Sequence, residues 1–235
     1  MGKPDIIYED NDIIVCYKPA GIATQTRRIG QQDMESFIRN YRAAKNEPPY
    51  VGIVHRLDQP VEGVMVFAKN QKAAASLSRQ IKEHTTEKYY HAASRGHGVS
   101  GADNKEDNHD PAWHTLTDYI SFDKRTNTSK ITSEKDRLAK KAVLQYRILS
   151  NECNKTEFDI KLLTGRHHQI RLQLANIGYP LIGDTKYGKP ASNNSGTGNV
   201  AGRTGSCVRE QLALCSYKIV FDHPATGERM TFELP

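Results

Sequence analysis

The apolar residues of this chain come in short runs, and that limits what it can become. The longest, such as Ile13-Ile14-Val15-Cys16, hold only about four to six residues,. A membrane-spanning helix needs roughly 18 or more, so none is expected. Short runs bounded by turn residues read as strands. Three other segments repeat their apolar residues with helical spacing. The order of the two types is not a regular βαβ alternation. It predicts an α+β fold with a mixed, largely antiparallel central sheet flanked by helices and loops. A chain of 235 residues can bury roughly 70% of the surface it exposes when unfolded. A single domain over residues 1–235 is therefore expected, with no disulfide or metal needed to hold it.

Residues 6–8 and 13–17, split by Glu9-Asp10-Asn11-Asp12, read as a hairpin that Lys18-Pro19-Ala20-Gly21 ends,. Asp33 is a candidate N-cap for a helix with Met34, Phe37, Ile38 and Tyr41 on one face, closed by Pro48-Pro49,. Residues 63–69 read as a buried strand. Asn70 then caps a helix whose apolar face is Ala73, Ala74, Leu77 and Ile81,. Further strands are expected over 88–94, 141–149, 156–163, 212–221 and 230–234. A helix is expected over 167–177, with Ile170, Leu174 and Ile177 inward and Gly178 and Pro180 closing it,. Residues 96–112 and 189–206, rich in Gly, Asn, Ser and Asp, read as flexible loops within the domain,.

The net charge is +6. Taken in blocks, residues 51–100 carry +3, 101–150 +1 and 151–200 +2, while both ends balance. An excess gathered in two separated blocks hints at a surface that faces a polyanion such as nucleic acid. Cys16, Cys153, Cys207 and Cys215 form no C-x-x-C pair, which excludes a zinc ribbon or a thioredoxin motif,. Cys16 and Cys215 lie in strand-like runs and read as buried thiols. The histidines lack metal-ligand spacing. The N-terminus has no apolar signal core, so a cytoplasmic location is expected,.

Chemistry concentrates in three clusters. The first is Val54-His55-Arg56-Leu57-Asp58-Gln59-Pro60-Val61-Glu62-Gly63-Val64. A carboxylate on a loop abutting a buried strand is held rigidly yet stays open to substrate. A turn aspartate capping backbone amides is the plainer reading of Asp58. The second cluster is Thr164-Gly165-Arg166-His167-His168-Gln169-Ile170-Arg171. Arg171 falls near the core boundary and reads either as a solvated helix arginine or as one with a carboxylate partner, for which Asp58 is the candidate,. The third is Lys88-Tyr89-Tyr90-His91-Ala92, a strand in which Tyr89 and Tyr90 face opposite ways,.

Together, and in the order they take along the chain, the clusters resemble the RluA class of RNA pseudouridine synthases. Lys18-Pro19-Ala20-Gly21 matches that class's Lys-Pro-x-Gly, and His55 to Asp58 with Gly63 matches its catalytic loop. Lys88, Tyr90 and Ala92 match Lys-x-Tyr-x-Ala, and Thr164 to Arg171 match Thr-Gly-Arg-x-His-Gln-Ile-Arg. Pro180 to Gly188 match Pro-Leu-x-Gly-Asp-x-x-Tyr-Gly, and His223-Pro224 completes the set. Val61-Glu62 departs from the usual Thr-Ser, and His167 from the usual Thr or Ser. Many members add an N-terminal S4 domain, which is not expected here because the catalytic pattern begins near residue 5.

The resemblance implies the pseudouridine synthase fold with an active-site cleft across the sheet. It also implies isomerisation of uridine to pseudouridine in structured RNA, ribosomal or transfer, with no cofactor and no metal. Asp58 would be the catalytic carboxylate, by attack at C1′ or by abstraction of a sugar proton. Arg171 would be its cation, and Tyr90 the ring that meets the uracil. Arg56 would enter the space the flipped base leaves. His55, Arg166, His168, Gln169 and Lys88 would join it in holding RNA. The expected partner is RNA, with no membrane and no obligate protein partner, and the expected state is a monomer. A catalytically inactive RNA-binding protein of the same fold is the alternative. A metal-dependent hydrolase or a purely structural protein would leave the ordered motifs unexplained.

Overall fold

The computed structural model describes residues 4–26, 30–95, 112–152, 154–188 and 210–235. The two expected loops, 96–112 and 189–206, lie outside the described residues, apart from Ala112. The elements run β1 (Asp5–Glu9), β2 (Ile13–Lys18), α1 (Met34–Ala44), β3 (Gly52–Ile53), β4 (Glu62–Ala68), α2 (Gln71–Lys82) and β5 (Glu87–Arg95). There follow β6 (His114–Asp123), β7 (Thr128–Thr132), β8 (Lys140–Glu152), β9 (Lys155–Leu162), α3 (Gln169–Asn176), β10 (Leu214–Asp222) and β11 (Arg229–Glu233). One open sheet joins the strands in the order β1-β2-β4-β10-β5-β9-β8-β6-β7, with β3 on β4 and β11 on β10. Its described pairings are antiparallel except that of β10 with β4. The α+β reading holds.

The helix caps follow from the sequence. The Asp33 side chain accepts from the Ser36 amide at 2.7 Å, and the Ser36 hydroxyl accepts from the Asp33 amide at 3.0 Å,. Asn70 caps α2 through the Ala73 amide. The late His223 ties the first hairpin down. Its Nδ1 accepts from the Thr226 amide, so Nε2 carries the proton and donates to Asp10 at 2.9 Å. Asp10 in turn accepts from the amides of Asp12 and Ile13. Asp10, Asp12 and His223 lie close enough together to hold a cation. Asp10 and His223 are already engaged as a turn clasp.

Alternation along the strands sends residues to two faces. On one, Ile14, Cys16, Met65, Phe67, Tyr90, Phe158 and Ile160 pack against Met34 and Ile38 of α1 and Ile170 and Leu174 of α3. On the other, Ile13, Val15, Val64, Val66, Ile219 and Phe221 pack against Ala73 and Leu77 of α2. Each Val, Leu, Ile, Phe or Met side chain among them contributes about 1.5–3 kcal/mol when fully buried. The β6–β7 end has only the small cluster of Ile120, Ala142 and Leu172.

Two differences from the sequence reading have local causes. The strands β6 and β7 were not expected. Along β6 one face carries Leu116, Asp118, Ile120 and Phe122, so an acid interrupts the apolar alternation. Asp118 is accommodated there by accepting from Gln173 Nε2 at 2.7 Å. The third helix begins at Gln169, two residues later than expected, because His168 takes a left-handed conformation with φ 53°. Gln169 closes that turn, its Oε1 accepting from the Thr164 hydroxyl at 2.8 Å and the Arg166 amide at 3.0 Å.

Candidate active site

The loop between β3 and β4 carries Asp58 and is clamped from several sides. Thr24 bonds both backbone groups of buried Leu57, its hydroxyl donating to the carbonyl at 3.0 Å and accepting from the amide at 3.1 Å. The Gln59 carbonyl accepts from the Gly21 amide at 2.8 Å and from Lys18 Nζ at 3.2 Å. Lys18 is fully buried and donates also to the carbonyls of Pro19 and Ile22. Burial lowers its pKa to about 8, against the opposing pull of the Asp58 and Glu62 charges,. On the far side of Asp58, its carbonyl accepts from the Val61 amide at 3.0 Å. Gly63 then has φ 137°, and a Cβ there would overlap the Ser216 backbone. Only glycine lets the loop pass this close to β10.

Asp58 thus sits on a fixed loop with its side chain 30% exposed. Its Oδ2 lies 3.6 Å from Arg171 Nη1 and 3.6 Å from His168 Nε2. The expected Arg171–Asp58 contact is present, but Asp58 is the secondary partner. The guanidinium forks onto Asp184, with Nε to Oδ2 at 2.8 Å and Nη2 to Oδ1 at 2.7 Å,. This leaves Nη1 aimed at Asp58. Burial disfavours the Arg171 charge, yet the Asp184 bonds outweigh it and raise its pKa. Burial likewise opposes the Asp184 charge, and Arg171 together with the amides of Tyr187 and Lys186 holds its pKa down.

The two site histidines stay neutral near pH 7. Burial, helped by Arg171, His167 and Lys186, lowers His168 to about 3. Its Nδ1 lies 2.9 Å from the Tyr187 hydroxyl. His55 is lowered to about 3 by burial and by the Lys88 charge, and its Nε2 accepts from the Val66 amide at 3.1 Å. It buttresses the loop. Tyr90 is buried. Loss of solvent raises its pKa above the usual range, the Ser216 hydroxyl bond opposes this, and the Asp58 charge adds to it. The opposite orientation of Tyr89 and Tyr90 holds, since Tyr89 is half-buried and bonds Glu87.

The other expected RNA-holding side chains divide by exposure. Arg56 is exposed. Arg166 and Lys88 are half-buried. Arg166 Nε donates to the Lys141 carbonyl at 2.9 Å. Burial lowers the Lys88 pKa, and its Nζ lies beside Gly165. His168 and Gln169 are buried, and Gln169 Oε1 is used in the turn. Lys18, Asp184 and Tyr187 belong to this constellation without having been assigned a role from the sequence. All three lie in segments that carried the family resemblance, so the signal was present but not the geometry. Cys16 is buried as expected and Cys215 half-buried. Cys153 and Cys207 lie outside the described residues.

A family model described as RNA pseudouridylate synthase matches residues 12–176. The chain is 31% identical to an uncharacterised RNA pseudouridine synthase of Bacillus subtilis, over 100% of this chain and 69% of that protein. It is 33% identical to a ribosomal large subunit pseudouridine synthase D of Pseudomonas aeruginosa, over 98% of this chain and 68% of the relative. A synthase D of Vibrio cholerae is 31% identical, over 98% and 67%. Among solved structures, human RNA pseudouridylate synthase domain containing 4 shares the fold with a TM-score of 0.72 at 19% identity, covering 98% of this chain and 88% of that one.

Proposed function

The chain belongs to the family of RNA pseudouridine synthases, enzymes that isomerise uridine in RNA, and from that premise we propose that Asp58 is the carboxylate that acts at the sugar. The observation that carries this is the approach of Arg171 Nη1 and His168 Nε2 to one Asp58 oxygen, both at 3.6 Å. Breaking N1–C1′ and forming C5–C1′ requires an ionised carboxylate at the sugar, whether it attacks C1′ or removes a sugar proton. A cation fixed by a second carboxylate orients Asp58 without collapsing onto it,. His168, neutral and buried, lies against the same carboxylate oxygen.

Tyr90 keeps its proton near pH 7, which supports a role for the phenol ring against the uracil,. Loss of the C5 proton then completes the isomerisation, with N1 protonated in its place. Arg56, exposed on the same loop, fits insertion into the stack that the uridine leaves,. We take the substrate to be ribosomal RNA, because relatives that match nearly the whole chain are named for the large ribosomal subunit. The enzyme would act in the cytoplasm as a monomer, without cofactor. Among the described residues no helix is long and apolar enough to cross a membrane.

Carbodiimide mapping of pseudouridine in total RNA, from cells with and without the gene, tests this reading. Loss of one or more ribosomal sites is expected. Loss confined to transfer RNA would overturn the substrate, and an unchanged map would overturn the activity.

A further inference from the structure

Phe122 is the penultimate residue of β6 and is 40% exposed. Its ring lies 4.2 Å from that of His167, and His167 lies 3.7 Å from His168. His168 in turn faces Asp58. Three rings therefore run in file from the carboxylate to the surface. His167 is fixed in this file by Ser129. The Ser129 hydroxyl gives its one proton to the His167 carbonyl at 2.8 Å, so His167 Nδ1 must donate to Ser129 Oγ at 3.0 Å,. Burial lowers the His167 pKa, and the charges of Lys186, Arg171 and Arg56 press the same way against Asp58. The ring is neutral near pH 7 and within electrostatic range of both Asp58 and Arg56.

The surroundings of Phe122 are cationic. Lys124 and Arg125 follow it at the hairpin tip. Lys140 lies opposite Ile120, on the face that Ile120 and Phe122 share,. Lys186 Nζ donates to the Asn127 carbonyl at 2.5 Å. Among the described residues none of these cations has a carboxylate within 4.0 Å. The neighbouring Asp123 is turned back on its own chain, accepting from the Arg125 amide at 2.8 Å. An exposed ring amid unpaired cations fits a ligand that is at once a flat π-system and an anion, and single-stranded nucleic acid is both.

We propose that Phe122 and His167 form a stacking platform for an unpaired RNA base close to the target uridine, with Lys124, Arg125, Lys140 and Lys186 taking the flanking phosphates. This rests on the reading of Asp58 as the catalytic carboxylate. It assigns a consequence to His167, one of the positions at which the sequence departs from the motif it resembles. The hairpin becomes the part of the enzyme that favours looped over fully paired RNA.

The test uses a uridine-containing stem-loop RNA with 2-aminopurine in the loop, whose fluorescence is quenched on stacking. Wild type is compared with Phe122→Leu, which keeps apolar bulk but has no π face, and with Phe122→Trp. Thermal melting confirms that each variant is folded. Phe122→Leu is expected to lose the quench and to weaken binding roughly 5- to 10-fold, while Phe122→Trp keeps both. Wild-type behaviour from Phe122→Leu overturns the platform, and so does a Phe122→Trp that behaves like leucine. The readout is equilibrium binding and does not depend on turnover. A platform that quenches in a protein that makes no pseudouridine would refute the catalytic reading alone.

Discussion

The two ends of the sheet treat charge in opposite ways. Where α1 and the end of β4 meet the first hairpin, at the β1–β2–β4 end, cations are paired: Lys45 and Lys69 with Glu9, Arg42 and Lys69 with Glu47, and Arg39 with Glu35. Apolar clusters cover both faces there. At the β8–β6–β7 end, Lys124, Arg125, Lys130, Lys135, Arg137, Lys140 and Lys141 are all exposed, and none meets a carboxylate within 4.0 Å among the described residues. The acids of that segment are occupied locally. Glu134 accepts from Tyr119, and Asp136 from Thr132 and from the Leu138 amide. Exposed cations left unpaired cost little stability and stay available to a polyanion. One end of the sheet is organised to be stable and the other to receive RNA, with the Asp58–Arg171–Asp184 constellation between them.

The largest effect should come from that boundary. Asp184→Ala leaves the Arg171 charge buried without its main partner and should cost about 3–5 kcal/mol, read by urea unfolding, together with activity. Replacing both, as Arg171→Met with Asp184→Leu, should return most of the stability and none of the turnover. Recovery of turnover would show that the pair belongs to the scaffold. Next, Leu77→Ala in the two-faced end should cost about 2–5 kcal/mol, and more than Leu172→Ala in the small cluster at the other end. Equal losses would erase the difference in packing.

Acid should reach the site before it reaches the paired end. His55 and His168 ionise near 3 in the folded protein against an ordinary 6.5. Below 6.5 the unfolded chain binds protons that the folded one refuses. Their contribution is complete above 6.5 and declines as pH falls from there toward 3. For Glu9, burial opposes its charge, but bonds from Lys45, Lys69 and Tyr41 hold it at about 2 against 4.5, so its contribution fades only below 4.5. Urea midpoints at pH 8, 6 and 5 should therefore fall, and His168→Asn, which tolerates the left-handed backbone, should flatten that fall. The smallest effect is expected from Lys130→Gln with Lys135→Gln. Stability should stay within about 0.5 kcal/mol, while the salt dependence of RNA binding falls by about 0.7 for each phosphate that is no longer neutralised. Arg39→Gln at the paired end should leave the salt dependence unchanged.

Much of the paired end was legible in the sequence, because its signals are local. Asp33 and Asn70 announced their helices, and the break at Lys18-Pro19-Ala20-Gly21 marked the end of the first hairpin. The other end was not. Asp118 hides the alternation of β6, and the bond that permits it comes from Gln173, 55 residues away. Its charge was hidden by averaging, since Asp103, Glu106, Asp107 and Asp110 offset the cations of the hairpin within a block that nets +1. In the site, Asp58 and Arg171 could be named from motifs. That Asp184 takes the fork of Arg171 and leaves one nitrogen for Asp58 depends on how α3 and the segment after it fold together. No spacing in the chain encodes that.

The most direct test of the account is Asp58→Asn, assayed for isomerisation under single-turnover conditions alongside its affinity for the same RNA. The substitution keeps the shape of the side chain and removes its charge. The account predicts no detectable pseudouridine with RNA affinity close to wild type. Turnover near the wild-type rate would contradict it.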